Sequence, residues 1–125
     1  MVIYSDILGT STSVLTTFFG IVGSPYSPLR SGRLIQVKLF FSQTTAASVL
    51  SAASVKLQSP LWGVPVYATI QGAGIATAPA EPPIPGVQNC DLPVQIGSPI
   101  TVEVRQEAGI VAVTPVLIVV GVFEA

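Results

Sequence analysis

Hydrophobic and polar residues alternate along this chain in short runs with the two-residue period of strands. From Leu34 to Ser42, Ile35, Val37, Leu39 and Phe41 fall on one face and Gln36 and Lys38 on the other, with Leu34 and Phe40 at the ends. Val55 and Leu57 flank Lys56 within Ser54–Gln58, and Val66, Ala68 and Ile70 alternate with Tyr67, Thr69 and Gln71. Between Ile100 and Glu107 the alternation is cleanest: Ile100, Val102 and Val104 against Thr101, Glu103, Arg105 and Glu107. Two runs are less polarised. Ser13–Val22 sets Val14, Leu15, Phe18, Phe19, Ile21 and Val22 among threonines. Val116–Phe123 is apolar on both faces, with Val116, Ile118, Val120 and Val122 on one and Leu117, Val119 and Phe123 on the other. A strand apolar on both faces is covered on both.

Turn residues separate these runs: Gly23-Ser24-Pro25, Ser27-Pro28, Pro60 to Pro65, and Gly72 with Gly74. The longest separator, 79–99, holds six prolines, which predicts a stiff loop and excludes a central strand. Within it, Val94–Ile96 has the makings of a short edge strand. Thr44–Ala53 is the one stretch with helical composition, and its Ser and Thr content makes it a poor helix. The pattern predicts one all-β domain over residues 1–125, an antiparallel β-sandwich of about eight short strands. A jelly roll or an immunoglobulin-like sandwich fits sheets that bury both faces. The two cysteines that flank a Trp in immunoglobulin domains are absent, because Cys90 stands alone.

Composition sharpens this picture. Only 9% of the 125 residues are charged, against roughly 25% in soluble domains. Half are hydrophobic, mean hydropathy is +0.72 and the net charge is −1. Such a chain has little surface charge to hold it in solution as a monomer, so contacts with other copies are expected. No transmembrane segment is expected: the longest nearly apolar run, 108–123, falls short of the roughly 20 residues of a spanning helix and is rich in Val and Ile. No Lys or Arg precedes Arg30, so a signal peptide is not expected either. Strong nucleic-acid binding is not expected, since the one local basic cluster is Arg30 with Arg33.

Candidate chemistry is sparse. The chain has no histidine, which removes Ser-His-Asp and Cys-His catalysis and nearly all familiar zinc sites. Cys90 lies in Gln88-Asn89-Cys90-Asp91, where the neighbouring charge opposes thiolate formation, and it reads as a small hydrophobe. Glu103 and Glu107 share a strand face but stand roughly 13 Å apart on extended chain, beyond the roughly 5–9.5 Å of glycosidase pairs. The expectation is a protein that is not an enzyme, with no catalytic residues, cofactor or metal. Trp62, in Pro60-Leu61-Trp62-Gly63-Val64-Pro65, and nearby Tyr67 are candidate ligand or partner contacts; alternatively Trp62 plugs one end of the sandwich.

The order of short strands, the Pro79–Pro99 loop and the long hydrophobic last strand 116–124 resemble the small single jelly-roll capsid proteins of icosahedral viruses. The resemblance covers the whole chain as a pattern, and no specific motif carries it. It implies a virion structural protein, located in the virion, with copies of itself and other capsid proteins as partners. Residues 1–29 carry no basic genome-binding arm, which points to a minor capsid, penton, cement or spike component. The absence of His, the single Asn and eleven prolines point to a hot or acidic setting, which, with the resemblance, a virus of a thermoacidophilic archaeon would fit. Candidate subunit-interface residues are Val14, Phe18, Phe19, Leu117, Val119 and Phe123. The alternatives are an extracellular filament or pilus subunit joined by strand donation, with residues 1–23 as the donated strand, and a carbohydrate-binding β-sandwich using Trp62 and Tyr67.

Overall fold

The computed structural model describes residues 1–11, 17–42, 49–74, 86–108 and 116–125. They form eight strands and, among the described residues, no helix: β1 (Ile3–Ser11), β2 (Phe19–Gly20), β3 (Gly32–Ser42), β4 (Val49–Gln58), β5 (Val66–Gly74), β6 (Gly86–Val94), β7 (Thr101–Ala108) and β8 (Val116–Glu124). Two four-stranded antiparallel sheets, ordered β1-β8-β3-β6 and β2-β7-β4-β5, make a β-sandwich. The pairing is nested: β1 with β8, β2 with β7, β3 with β6 and β4 with β5. Strand direction alternates along the chain. The connections after β1, β3, β5 and β7 therefore leave one end of the sandwich, and those after β2, β4 and β6 turn at the other, beside Ile3 and Glu124.

The core lies between the sheets. Leu8, Leu34, Val37, Leu39, Leu117, Val119 and Phe123 face inward from the first sheet, against Ala53, Val55, Leu57, Val102 and Val104 from the second, and all are essentially buried. Each large side chain removed from water contributes about 1.5–3 kcal/mol. β7 follows its sequence alternation, with Ile100, Val102 and Val104 inside and Thr101, Glu103 and Arg105 outside.

Two strands depart from simple alternation. In β3 the register shifts between Leu34 and Gln36, against both β6 and β8, so Ile35 is a bulge residue. The expected inner face of Ile35, Val37 and Leu39 is therefore corrected: Leu34 joins Val37 and Leu39 inside, and Ile35 is half-buried. In β1 the shift between Ile7 and Gly9 makes Leu8 the extra residue and turns it into the core.

The prolines of 79–99 do not keep the whole segment irregular. Residues 86–94 are β6, and the short strand expected at Val94–Ile96 is instead the end of this longer one. β6 is an edge strand, where Pro93, lacking an N–H, is tolerated. Val49 to Ala53, expected to be at best weakly helical, lie in β4. β1 occupies residues read as a strand only in the strand-donation alternative, and here it pairs with β8 of its own chain. Of the strand expected over Ser13–Val22, the described residues carry β2 and a bridge between Thr10 and Val22, and residues 13–16, Val14 among them, lie outside the described residues.

The end of the sandwich near Ile3 is closed by aromatic rings. Tyr4 and Tyr26 stack on Phe123 with centroids 5.2 and 5.6 Å away. The Tyr26 hydroxyl donates to Asp6 Oδ2 at 2.6 Å. Gly32 lies so close to β8 that a Cβ there would stand 2.1 Å from the Glu124 carbonyl oxygen. Among the described residues, no helix is long and apolar enough to cross a membrane.

Candidate assembly surface

The groups with intrinsic reactivity are held in structural roles. Cys90 is half-buried on β6, its Sγ 3.4 Å from the Leu34 carbonyl oxygen. Burial, and then the charge of Asp91, push its thiol up to about 11. Such a thiol is protonated and unreactive near neutrality. Among the described residues no three acidic, Cys or His side chains cluster as a metal site would require. Arg33 is ion-paired with Asp91, and the Arg30 guanidinium lies 6.0 Å from the Tyr4 ring centroid. The only basic cluster in the sequence is thus half neutralised.

Trp62 and Tyr67 serve different parts of the molecule. The Trp62 indole donates Nε1–H to the Pro93 carbonyl at 2.8 Å and packs against the core, tying the β4–β5 turn to β6. This is the end-plug role. Beside it, Gln58, Ser59, Pro60, Gly63, Val64 and Pro65 line an open depression of about 220 Å³ that contains no ionisable side chain. Tyr67 is 59% exposed on the outer face of the second sheet.

That outer face carries a cation–aromatic cluster. Register places Lys56 between Tyr67 and Glu103. Lys56 Nζ is 4.0 Å from Glu103 and 5.9 Å from the Tyr67 ring centroid. Phe18 meets Tyr67 edge to face at 5.7 Å and lies beneath the Arg105 guanidinium at 4.6 Å. Ser54 sits between Arg105 and Thr69 in register and is buried, at 6% exposure. Its hydroxyl meets that of Thr69 at 3.1 Å.

The outer face of the first sheet is different in kind. Reading across β1, β8, β3 and β6, the registers give three complete rows: Ile3–Glu124–Arg33–Pro93, Ser5–Val122–Gln36–Asn89 and Ile7–Val120–Lys38–Val87. A fourth row, Thr10–Ile118–Phe40, reaches only β3. Gln36 and Asn89 confirm the shared face with a 2.9 Å side-chain hydrogen bond. Ile3, Ile7 and Val87 are 59%, 55% and 48% exposed. Ile118, Val120, Val122 and Phe40 are half-buried by their own neighbours alone. The result is a contiguous apolar patch at the centre of the sheet face.

Three of the interface residues expected from the sequence are thereby corrected. Leu117, Val119 and Phe123 are in the intramolecular core and are not free to form a subunit surface. Phe19 packs inward onto the same core, and Phe18 lies on the outer face of the second sheet. It is the opposite face of β8 that looks outward. Sequence reasoning separated the two faces of β8 but assigned the interface to the inward one, Leu117, Val119 and Phe123, since both are apolar. Ile3 and Ile7 went unnoticed because β1 was not recognised as a strand of the sandwich. No known protein-family model matches the chain, and no curated protein matches it.

Proposed function

We propose that the chain is a virion structural protein, an assembly-associated capsid component built on a single jelly roll. The nested pairing supports the jelly roll: β1·β8, β2·β7, β3·β6 and β4·β5 are the pairs of one long hairpin folded over on itself into two sheets. Jelly rolls also serve metal-dependent enzymes and lectins. Metal chemistry on this chain would have to do without histidine. The indole N–H of Trp62, the candidate sugar platform, is held by the Pro93 carbonyl.

The observation that carries assembly is the apolar patch of Ile7, Val120, Val122, Ile118 and Phe40 on a chain with so few charges. Contiguous exposed apolar surface of this kind marks interaction sites. Copies of the same chain and other shell proteins are its partners, and an archaeal virus of a hot, acidic habitat is the setting its composition fits.

The test is size and association. The purified chain at micromolar concentration, followed by light scattering and negative-stain electron microscopy, is expected to form discrete assemblies or to bind proteins extracted from virions of the same source. A chain that stays monomeric and binds none of them rules the reading out.

A further inference from the structure

We infer that the outer face of the β1-β8-β3-β6 sheet is a self-interface, closed against the same face of a second copy about a two-fold axis running along the strands between β8 and β3. This rests on the assembly reading above and names its surface and symmetry.

Two observations choose a second copy as the occupant. The first is area. Four strands about 4.8 Å apart and about 27 Å long present roughly 500 Å². Two such faces bury roughly 1,000 Å², the lower bound for a specific interface. The second is complementarity. Full overlap of a four-stranded sheet with itself needs an axis through its centre, between β8 and β3. Placed along the strands, that axis keeps the rows and exchanges the columns. Glu124 then faces Arg33 of the second copy, Ile118 faces Phe40, and Ile7 faces Val87, each twice by symmetry. Lys38 faces Val120, over which its long stem can lie while the ammonium reaches the rim. The other central in-plane axis, across the strands, keeps the columns and reverses the rows. It sets Glu124 over Ile118 and Arg33 over Phe40, burying charges on apolar side chains, which is costly. The charges therefore select the axis along the strands.

Chemical cross-linking tests the register. Facing sheets lie about 10 Å apart, too far for a disulfide, so a short bis-maleimide reagent is the probe. In a Cys90→Ala background, Ile7→Cys and Val87→Cys variants are made as separate chains. Mixed, they are expected to give a cross-linked dimer; each alone is expected to give at least about fivefold less, because like positions then lie at opposite edges of the stack. Val120→Lys, which would confront Lys38 of the second copy, is expected to weaken self-association about a hundredfold or more. A thermal melt confirms that this variant is folded, and the cross-linking uses chains with Val120 intact.

If the wild-type chain assembles but Val120→Lys assembles equally well and the mixture does not cross-link, this interface is wrong and the assembly reading survives. If the wild-type chain binds virion proteins only as a monomer, or binds lipid vesicles as one, the face belongs to another partner and the inference is overturned. If it neither self-associates nor binds virion proteins, both readings fall.

Discussion

Cys90 and Tyr26 each hold a proton that the fold stabilises. Burial raises both, and for Tyr26 the hydrogen bond to Asp6 adds to it. Their contributions to stability are complete below the unfolded values, about 8.5 for a thiol and 10 for a phenol. They are lost as pH rises past those values toward the folded ones. Urea midpoints are therefore expected to fall between pH 8 and pH 10.5, and to fall less in Cys90→Ala. At pH 8 the folded thiol is expected to react with a disulfide probe roughly two-hundredfold more slowly than in urea, because raising the thiol from about 8.5 to about 11 removes that much thiolate. Tyr26→Phe keeps the ring on Phe123 but deprives Asp6 Oδ2 of its donor, leaving the Ile7 N–H on Oδ1. It is expected to cost about 2 kcal/mol in chemical denaturation. At this scale the sequence was readable wherever a strand is straight: Val102 and Val104 point inward as their alternation says. Leu8 and Leu34 were not read, because a bulge adds one residue and reverses the parity beyond it. Gly9 beside Leu8 is a local mark of the first bulge; no glycine marks the one at Ile35.

The strands hold together through approaches that the sequence does not advertise. Gly32 in β3 sits against the end of β8, and a methyl group there would collide with backbone that has no room to yield. Gly32→Ala is expected to cost about 2–3 kcal/mol and to lower Tm by roughly 10 °C, measured by calorimetry. The composition around Gly32, Ser31-Gly32-Arg33, reads as an ordinary turn; the constraint comes from Glu124, far along the chain. β6 was obscured for a related reason. Proline density argues for a loop, yet one proline at an unpaired edge costs no ladder hydrogen bond. Trp62 binds this edge strand through the Pro93 carbonyl. Trp62→Phe, which keeps the ring and removes the donor, is expected to cost about 1 kcal/mol in urea unfolding.

As a whole molecule, the sandwich is held by apolar burial with little help from charge. Among the described residues two ion pairs are formed, Arg33–Asp91 and Lys56–Glu103, and the first is largely exposed. Surface pairs are worth at most about 1 kcal/mol each. Raising NaCl from 0.05 to 0.5 M is therefore expected to move the Tm of the Val120→Lys chain by only about 5 °C or less, measured by calorimetry. The all-β class and the two-sheet arrangement were legible from period and turn spacing. The strand order was not, since partners such as Ile3 and Glu124 are joined by register across almost the whole chain. That pairing has a consequence for synthesis. β8 is a central strand of its sheet, between β1 and β3, and it is the last to be made. At about 5–20 residues per second, β1 and β3 wait several seconds for the strand that joins them, with their apolar sides uncovered. The first sheet thus closes only once β8 has emerged from the ribosome, and the nascent protein depends for that interval on whatever shields it.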